Sequence, residues 1–484
     1  MPISNRRPLR RGLRRQICTG IFFLMASCGE IAFGQTPRPP TPQFSFMQLR
    51  LAPAIPAARP ASLGGAFIGI ADDATAAAIN PAGVSFLLRP EISLSHAVGQ
   101  QARDYPIGGA GGSVDEFRDR NPIFDQTLVN IAYPQWGFTF ALYRQLAFHA
   151  DFDFTRTQFL TFAPGRPFTL HEQLGASGNF PGVASNFSAQ VIHNALVVAK
   201  TLHRRLRLGF SMAATQCRLQ LHESHYFDPD LWMQKEITGA EAVIVDNRAE
   251  SLYRLYDIEI NEFKMTWTAG VLIELDPDLT LGMVYQHLPR FKAINRITLP
   301  AYSLPDRTPE DGQRDEISFA PEIKLVPFKL DLPDHFGAGL AWKPTGNTLV
   351  AFDVVLYRNQ SLLRDLRLDL PQDDKLATDG SYVDPDGRND VEAKDFLSLH
   401  GGIEYRLKKS ALILPLRAGF YLEPSFALHA VSPDKNLQIE YPDEAPRLHF
   451  TWGMGIILKN VRFEVSSDLS ANLIEGLGSA VFSF

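Results

Sequence analysis

Apolar and polar side chains alternate with a period of two along much of this chain, and this pattern constrains its fold more than any other feature. Between Phe263 and Val271 the odd positions are apolar, and the even positions are mostly polar or small. The same alternation returns between Leu412 and Leu422 and between Leu448 and Leu458. Because successive side chains of a strand point to opposite faces, each such segment predicts a strand with one apolar face.

Fourteen segments predict strands, and long and short connections alternate between them. The short connections contain turn residues, as in Asp276-Pro277-Asp278 and Lys459-Asn460. Strands of about 10 residues joined in this way are typical of an outer-membrane barrel. The predicted fold is all-β: a 14-stranded antiparallel transmembrane β-barrel with both termini in the periplasm. The predicted strands are 91–98, 126–133, 136–145, 186–201, 206–222, 263–275, 279–288, 335–343, 348–358, 396–407, 412–423, 448–458, 461–467 and 476–484.

A soluble β-sandwich is the alternative fold, since its strands also have one apolar face. Strand length, the glycines on the polar faces and an N-terminal export signal favour the barrel. No run of 18 apolar residues follows that signal, which excludes a helical membrane protein. The formal net charge is −6, and arginines are concentrated in residues 1–34, so the rest of the chain offers no broad basic surface for nucleic acid.

Residues 1–34 have the order of a secretory signal peptide. Arginines within residues 6–15 precede an apolar stretch over residues 17–27, and Ala32-Phe33-Gly34 forms a small-x-small cleavage site. We expect cleavage after Gly34. Cys28 follows Met25-Ala26-Ser27, which resembles a lipoprotein box and is the alternative. At the other end, the terminal Phe484 follows alternating apolar residues and resembles the C-terminal signal that the barrel-assembly machinery recognises.

The residues between the signal and the first strand, 35–89, do not alternate. Gly64 and Gly65 begin a stretch rich in glycine and alanine, Asp72 or Asp73 can cap a short helical turn, and Asn80-Pro81-Ala82 follows. This stretch resembles the N-terminal hatch of the FadL-type outer-membrane transporters of long-chain fatty acids, and Asn80-Pro81-Ala82 matches their Asn-Pro-Ala motif. The resemblance divides the chain into a signal peptide (1–34), a hatch inside the lumen (35–89) and an outer-membrane barrel (90–484).

The resemblance implies a function as well as a fold. It implies passive transport of hydrophobic molecules, either long-chain fatty acids or similar apolar compounds, through a plugged barrel with lateral exit beside a kinked strand. It implies no enzymatic activity and no cofactor. The expected partners are hydrophobic small molecules, outer-membrane lipid and lipopolysaccharide, and the barrel-assembly machinery.

One strand contains a candidate for the kink. In segment 206–222 the apolar positions change from even to odd near Ala213, Ala214 and Gln216. A β-bulge would change the phase in this way. The alternative is that the strand leaves the membrane at this point.

Three further features keep other functions open. Asp384, Asp386 and Asp390 resemble part of a calcium loop, and a solvated acidic loop is the alternative. His222 and Ser224 share a face of a strand, as in outer-membrane phospholipases, so a lipid hydrolase is one alternative function. The other is a partner protein of a secretion system, because relatives with the same hatch motif act in secretion.

Overall fold

The computed structural model of the chain describes its strands and the segment before them, while several long connections and residues 1–52 lie outside the described part. The predicted signal peptide and the acidic residues Asp384, Asp386 and Asp390 therefore lie outside it. The described ranges are 53–108, 114–156, 182–226, 252–299, 302–305, 316–319, 321–362, 375–376, 382–383, 391–409, 412–424, 429–431, 445–471 and 473–484.

Sixteen strands form the main sheet, and short helical turns precede them. The strands are β1 (Glu91–Gly108), β2 (Val114–Gln135), β3 (Phe138–Arg156), β4 (Gly182–His203), β5 (Leu206–Tyr226), β6 (Leu252–Asp276), β7 (Leu279–His287), β8 (Arg290–Leu299), β9 (Glu322–Asp331), β10 (His335–Trp342), β11 (Thr348–Tyr357), β12 (Phe396–Lys409), β13 (Leu412–Glu423), β14 (Arg447–Leu458), β15 (Val461–Leu469) and β16 (Leu473–Ser483). The helix α1 (Ala58–Ser62) and the 3₁₀ helices Ala74–Ala78 and Pro81–Phe86 lie before β1.

The sheet closes on itself through fourteen of these strands. β1 pairs with both β2 and β16, and β6 pairs with β5 and β7, so β1 to β7 and β10 to β16 form a closed antiparallel barrel. Each predicted strand coincides with one barrel strand, and the predicted closed 14-stranded antiparallel barrel is confirmed. A closed barrel has no edge on which backbone groups would lack hydrogen bonds.

The two remaining strands of the main sheet form a hairpin that the alternation did not predict. β8 pairs with β9 over its whole length, and it also pairs with residues Leu255 to Ile258 of β6. The hairpin extends the wall beyond β7, on the side away from the short turns. We call that side of the barrel the upper side.

The faces of the barrel strands explain the alternation in the sequence. In β14, Phe450 and Trp452 are exposed, while His449, Thr451 and Gly453 are buried against the interior. An apolar outer face and a polar or small inner face are what a lipid-embedded barrel requires. β6 is 25 residues long, more than twice the length needed to cross the apolar layer. The barrel wall therefore continues above that layer.

Strand β5 has no bulge where its apolar phase changes. Its pairing with β4 and β6 continues without a register shift through Ala213, Ala214 and Gln216. Leu208 and other even residues are exposed on the outer face, whereas Leu219 and other odd residues above them are buried on the inner face. The phase changes because apolar residues face outward low in the strand and inward high in it.

Within the described residues, no helix is long and apolar enough to cross a membrane.

Replacing residues 290–331 by a short glycine–serine linker should leave the barrel able to assemble. The β6–β7 pairing closes the sheet without that hairpin. Heat-modifiable migration in electrophoresis should therefore persist. Leu281→Pro is the control, because Leu281 lies in β7 between β6 and β10 and proline removes a ladder hydrogen bond. Loss of the folded form in the linker variant would contradict closure through β6 and β7.

Candidate functional site

The N-terminal segment, residues 53–90, makes contacts with strands spread around the whole barrel. The Ala58 N–H donates to Ser479 Oγ on β16 at 2.8 Å. The N–H groups of Phe67 and Ile68 donate to the Asp353 carboxylate on β11 at 2.6 and 2.7 Å. Most of its residues are buried, and these partners belong to inward faces of distant strands. The segment therefore lies against inward-facing residues of β11 and β16.

Asn80 is the residue of the predicted motif with the most structural contacts. It caps the 3₁₀ helix Pro81–Phe86, and its Oδ1 accepts from the Ala82 N–H at 3.2 Å. Its Nδ2 donates to the carbonyls of Ile68 at 3.0 Å and Val271 on β6 at 3.3 Å. A Cβ on Gly270 would lie 2.1 Å from Asn80 Oδ1, so only glycine leaves room there. The buried Asn80 amide thus connects the backbone at Ile68 and at Ala82 to strand β6.

Gly64 and Gly65, the other predicted motif residues, turn the chain where the segment touches the wall. Their φ angles are +64° and +77°, a region that glycine adopts without strain. A Cβ on Gly64 would also lie 2.3 Å from the carbonyl oxygen of Phe420 on β13. The glycines therefore permit both the turn and the close approach.

A buried ion-pair network joins the same segment to β12, β13 and β15. Arg59 lies 2.6 Å from Asp73 and 3.3 Å from Glu404. Arg462 contacts Asp73 at 2.9 Å, and Arg417 contacts Glu404 at 2.6 Å. Burial alone would raise the pKa of Asp73, but Arg462 and Arg59 outweigh it and hold that pKa well below its usual range. Removing one partner of such a network typically costs about 3–5 kcal/mol, because a buried charge is left unpaired.

Above the segment, the inner faces of β3 to β6 and of the β8–β9 hairpin form a buried apolar cluster. We call it the upper apolar cluster. Its aromatic members are Phe148, Phe187 and Phe291. It lies at the height where the outer faces of β5 no longer carry apolar residues. The other members are Ala150, Ala189, Val191, Cys217, Leu219, Leu221, Ile258, Ile260, Ala293, Leu330, Leu332, Leu362 and Ala393.

The wall is interrupted between β2 and β3. Their ladder has eight pairs, from Gln135–Phe138 at the turn up to Leu128–Gln145. Above that pair, β2 continues only with β1 and β3 continues only with β4 among the described pairings. We call the opening between them the lateral gap.

A register shift lies on each side of the lateral gap. Thr127 in β2 and Ala147 in β3 have no partner in the ladders with β1 and β4. Both bulges contact the N-terminal segment: Thr127 Oγ1 donates to the Pro56 carbonyl at 2.9 Å, and the Ala54 N–H donates to the Ala147 carbonyl at 2.8 Å. Bulges bend a strand and end its regular pairing, which accounts for the gap at this position.

The strand kink was thus expected in β5, and the structure has the bulges in β2 and β3. Alternation could have indicated the bulge in β3: apolar residues fall on even positions in Phe148, Ala150 and Phe152, whereas buried Ala141 and Tyr143 are odd. The sequence of a single strand does not show which strand it pairs with, so the alternation could not predict the gap.

The candidate hydrolase residues do not form a nucleophile–base pair. His222 Nδ1 contacts Asp257 Oδ1 on β6 at 2.6 Å. Ser224 is buried, and no hydrogen bond within the described part of the chain joins its hydroxyl to His222. The described residues contain no group of three or more potential metal-ligating side chains.

No family model and no curated protein sequence matches the chain. Solved structures do match its fold. A FadL homologue from Pseudomonas aeruginosa has a TM-score of 0.52 and 14% identity, and the match covers 90% of this chain and 100% of that one. The toluene transporter TbuX of Ralstonia pickettii has a TM-score of 0.50 and 15% identity, with coverage of 90% and 99%.

A mutant of the monoaromatic hydrocarbon channel TodX has a TM-score of 0.54 and 13% identity, and the match covers 88% of this chain and 98% of that chain. At these identities the likeness is one of fold. It extends over nearly the full length of each channel.

Asn80→Ala should loosen the N-terminal segment and leave the barrel assembled. The substitution removes the amide contacts to Ile68, Ala82 and Val271, and an unsatisfied buried partner costs about 1–3 kcal/mol. Pro81→Ala should act in the same direction by freeing the turn. We expect faster protease cleavage within the segment at unchanged heat-modifiable migration.

Ser85→Ala is the matched control, because the Ser85 hydroxyl donates only to the Ala82 carbonyl within the segment. Equal protection of the segment in Asn80→Ala and the wild type would show that this amide does not anchor it.

Proposed function

We propose that this protein is a passive transporter of hydrophobic molecules in the outer membrane. The observation that carries the proposal is the upper apolar cluster, which faces the interior of the barrel and reaches the lateral gap through Phe148. A water-filled pore would have polar side chains at this height. An apolar interior instead provides a binding site for molecules that dissolve poorly in water.

The first step is capture from the outside. An apolar solute gains about 0.8 kcal/mol for each methylene that leaves water. The cluster lies above the apolar outer band, at the height of the polar lipopolysaccharide layer, and the barrel wall separates a molecule bound there from that layer. Aromatic members such as Phe187 and Phe291 suit both alkyl chains and aromatic rings.

The second step is release through the lateral gap. Eight paired residues in strands tilted by about 40° rise about 20 Å above the turns. The apolar band of such barrels is about 25 Å tall. The gap therefore begins within the outer part of the hydrocarbon layer, where a hydrophobic molecule can enter the bilayer without crossing water.

The N-terminal segment acts as the hatch that closes the periplasmic route. Its contacts with β6, β11 and β16 and its buried ion pairs support this role. In the proposed orientation both termini are periplasmic, the short turns face the periplasm and lipopolysaccharide surrounds the upper wall. A signal peptide over residues 1–34 and recognition of Phe484 by the barrel-assembly machinery complete the proposal.

The names of the solved channels with this fold support small hydrophobic substrates for this chain. One is named a toluene transporter and another a monoaromatic hydrocarbon channel. We infer that this chain accepts uncharged hydrocarbons, long-chain fatty acids or similar molecules, and that it catalyses no reaction. No contact within the described residues favours a secretion partner or a lipid hydrolase over a transporter.

Leu219→Gln should reduce uptake of a labelled hydrophobic solute about tenfold. The side chain is buried in the cluster, and an amide placed there without a partner costs about 1–3 kcal/mol. The measurement is the initial rate of uptake of radiolabelled toluene and of a long-chain fatty acid by intact cells, whose lipopolysaccharide layer slows direct entry, with cells that lack the protein as the baseline. Gln220→Asn is the control, because Gln220 lies on the outer face of the same strand. Unchanged uptake in correctly folded Leu219→Gln would show that the transported molecule does not pass through the cluster.

Cysteine labelling tests the orientation. Gly346 lies in a short turn with open space around its Cβ position, and Val431 is 52% exposed in a long connection. On intact cells, an impermeant maleimide should label Val431→Cys and not Gly346→Cys, and it should label both after lysis. The reverse pattern on intact cells would contradict the proposed topology.

A further inference from the structure

A side-chain contact crosses the lateral gap. Asp125 belongs to β2 and His149 to β3, above the last main-chain pair of those two strands. His149 Nδ1 lies 2.5 Å from Asp125 Oδ2, and its Nε2 lies 2.8 Å from Asp151 Oδ2. Asp151 thus holds the second nitrogen of the ring and fixes the ring's direction.

The two residues come from opposite faces of their strands. Asp125 is paired with Ala97, which packs on α1 inside the barrel, so Asp125 is on the inner face of β2. His149 lies between Phe148 and Ala150, whose side chains face the upper apolar cluster, so His149 is on the outer face of β3.

Asp125 on the inner face of β2 can contact His149 on the outer face of β3 only if the upper part of β3 lies closer to the barrel axis than β2. The lateral gap is therefore an oblique slot between overlapping strands, and the Asp125–His149 contact lies within it. Phe148 lines the inner side of this slot, and Phe124, which is 76% exposed, lies on its outer side.

We propose that the Asp125–His149 contact is a latch that holds the lateral gap shut, and that release of a hydrophobic molecule into the bilayer requires the latch to open. This inference rests on the proposed transport function. Between β5 and β6, by contrast, the main-chain ladder runs without interruption from Leu206 to His225, to the upper part of both strands. Between β2 and β3 a side-chain contact replaces the ladder, together with the bonds of Ala54 and Pro56 to the two bulges.

The first test is Asp125→Asn. The amide keeps the size of the side chain and loses its negative charge, which weakens the hydrogen bond to His149. We expect the initial rate of uptake of labelled toluene by intact cells to rise severalfold above that of cells with the wild-type protein. Asp257→Asn is the matched control: Asp257 makes the same type of contact, to His222 at 2.6 Å, but between β5 and β6, whose ladder is continuous. Its uptake should equal that of the wild type.

The second test locks the slot. Cysteines at positions 125 and 149, joined by a short bis-methanethiosulfonate reagent, should lower toluene uptake by intact cells to the level of cells that lack the protein, and dithiothreitol should restore it to at least the wild-type rate. Cysteines at Gln220 and Glu259, which pair directly between β5 and β6, provide the control cross-link and should not change uptake.

The outcomes separate the latch from the transport function. Unchanged uptake in Asp125→Asn together with unchanged uptake in the cross-linked variant overturns the latch while leaving transport standing. Equal uptake by cells with and without the wild-type protein overturns the transport function itself. Heat-modifiable migration of each variant verifies that the barrel has assembled.

Discussion

The rest of this structure depends on a hydrogen-bonded sheet that has to close. Hydrocarbon offers no partners for backbone N–H and C=O groups, so a sheet in lipid cannot end in a free edge. Closure through β6–β7 and β1–β16 meets this requirement in the lower half of the wall. Every other feature is arranged around that ring of strands, including the hairpin that extends it and the gap that interrupts it.

The interior is organised by height. At the level of the N-terminal segment, the inward residues include glycines and charged groups, and Asp353, Glu404 and the carbonyl of Val271 bind the segment. Apolar inward residues such as Leu272 and Leu349 pack against it there as well. Above it, the inward residues of β3 to β6 become apolar. Polar contacts and apolar packing therefore hold the segment in place, and the cluster above it is the site that we propose for a ligand.

The lateral gap lies where these two levels meet. The bulges at Thr127 and Ala147 end the β2–β3 ladder, and the first residues of the N-terminal segment are bonded to both bulges. The segment, the apolar cluster and the gap are therefore contiguous. A change in the position of the segment would alter the backbone on both sides of the opening.

The sequence by itself determined the fourteen strands that close the barrel, but not the β8–β9 hairpin. Alternation is a local property, because lipid on one side and the interior on the other act on each strand separately. The same locality predicted a cap at Asp72 or Asp73, and Asp73 accepts from the Thr75 N–H. The cap at Asn80, which accepts from the Ala82 N–H, was not predicted. The tertiary structure alone decided where the wall opens, which carboxylates meet Arg59, and that Asp125 meets His149. These features depend on register and on contacts between residues far apart in the chain. The alternation within one strand is the same whether or not a neighbouring strand pairs with it, so the sequence pattern cannot reveal them.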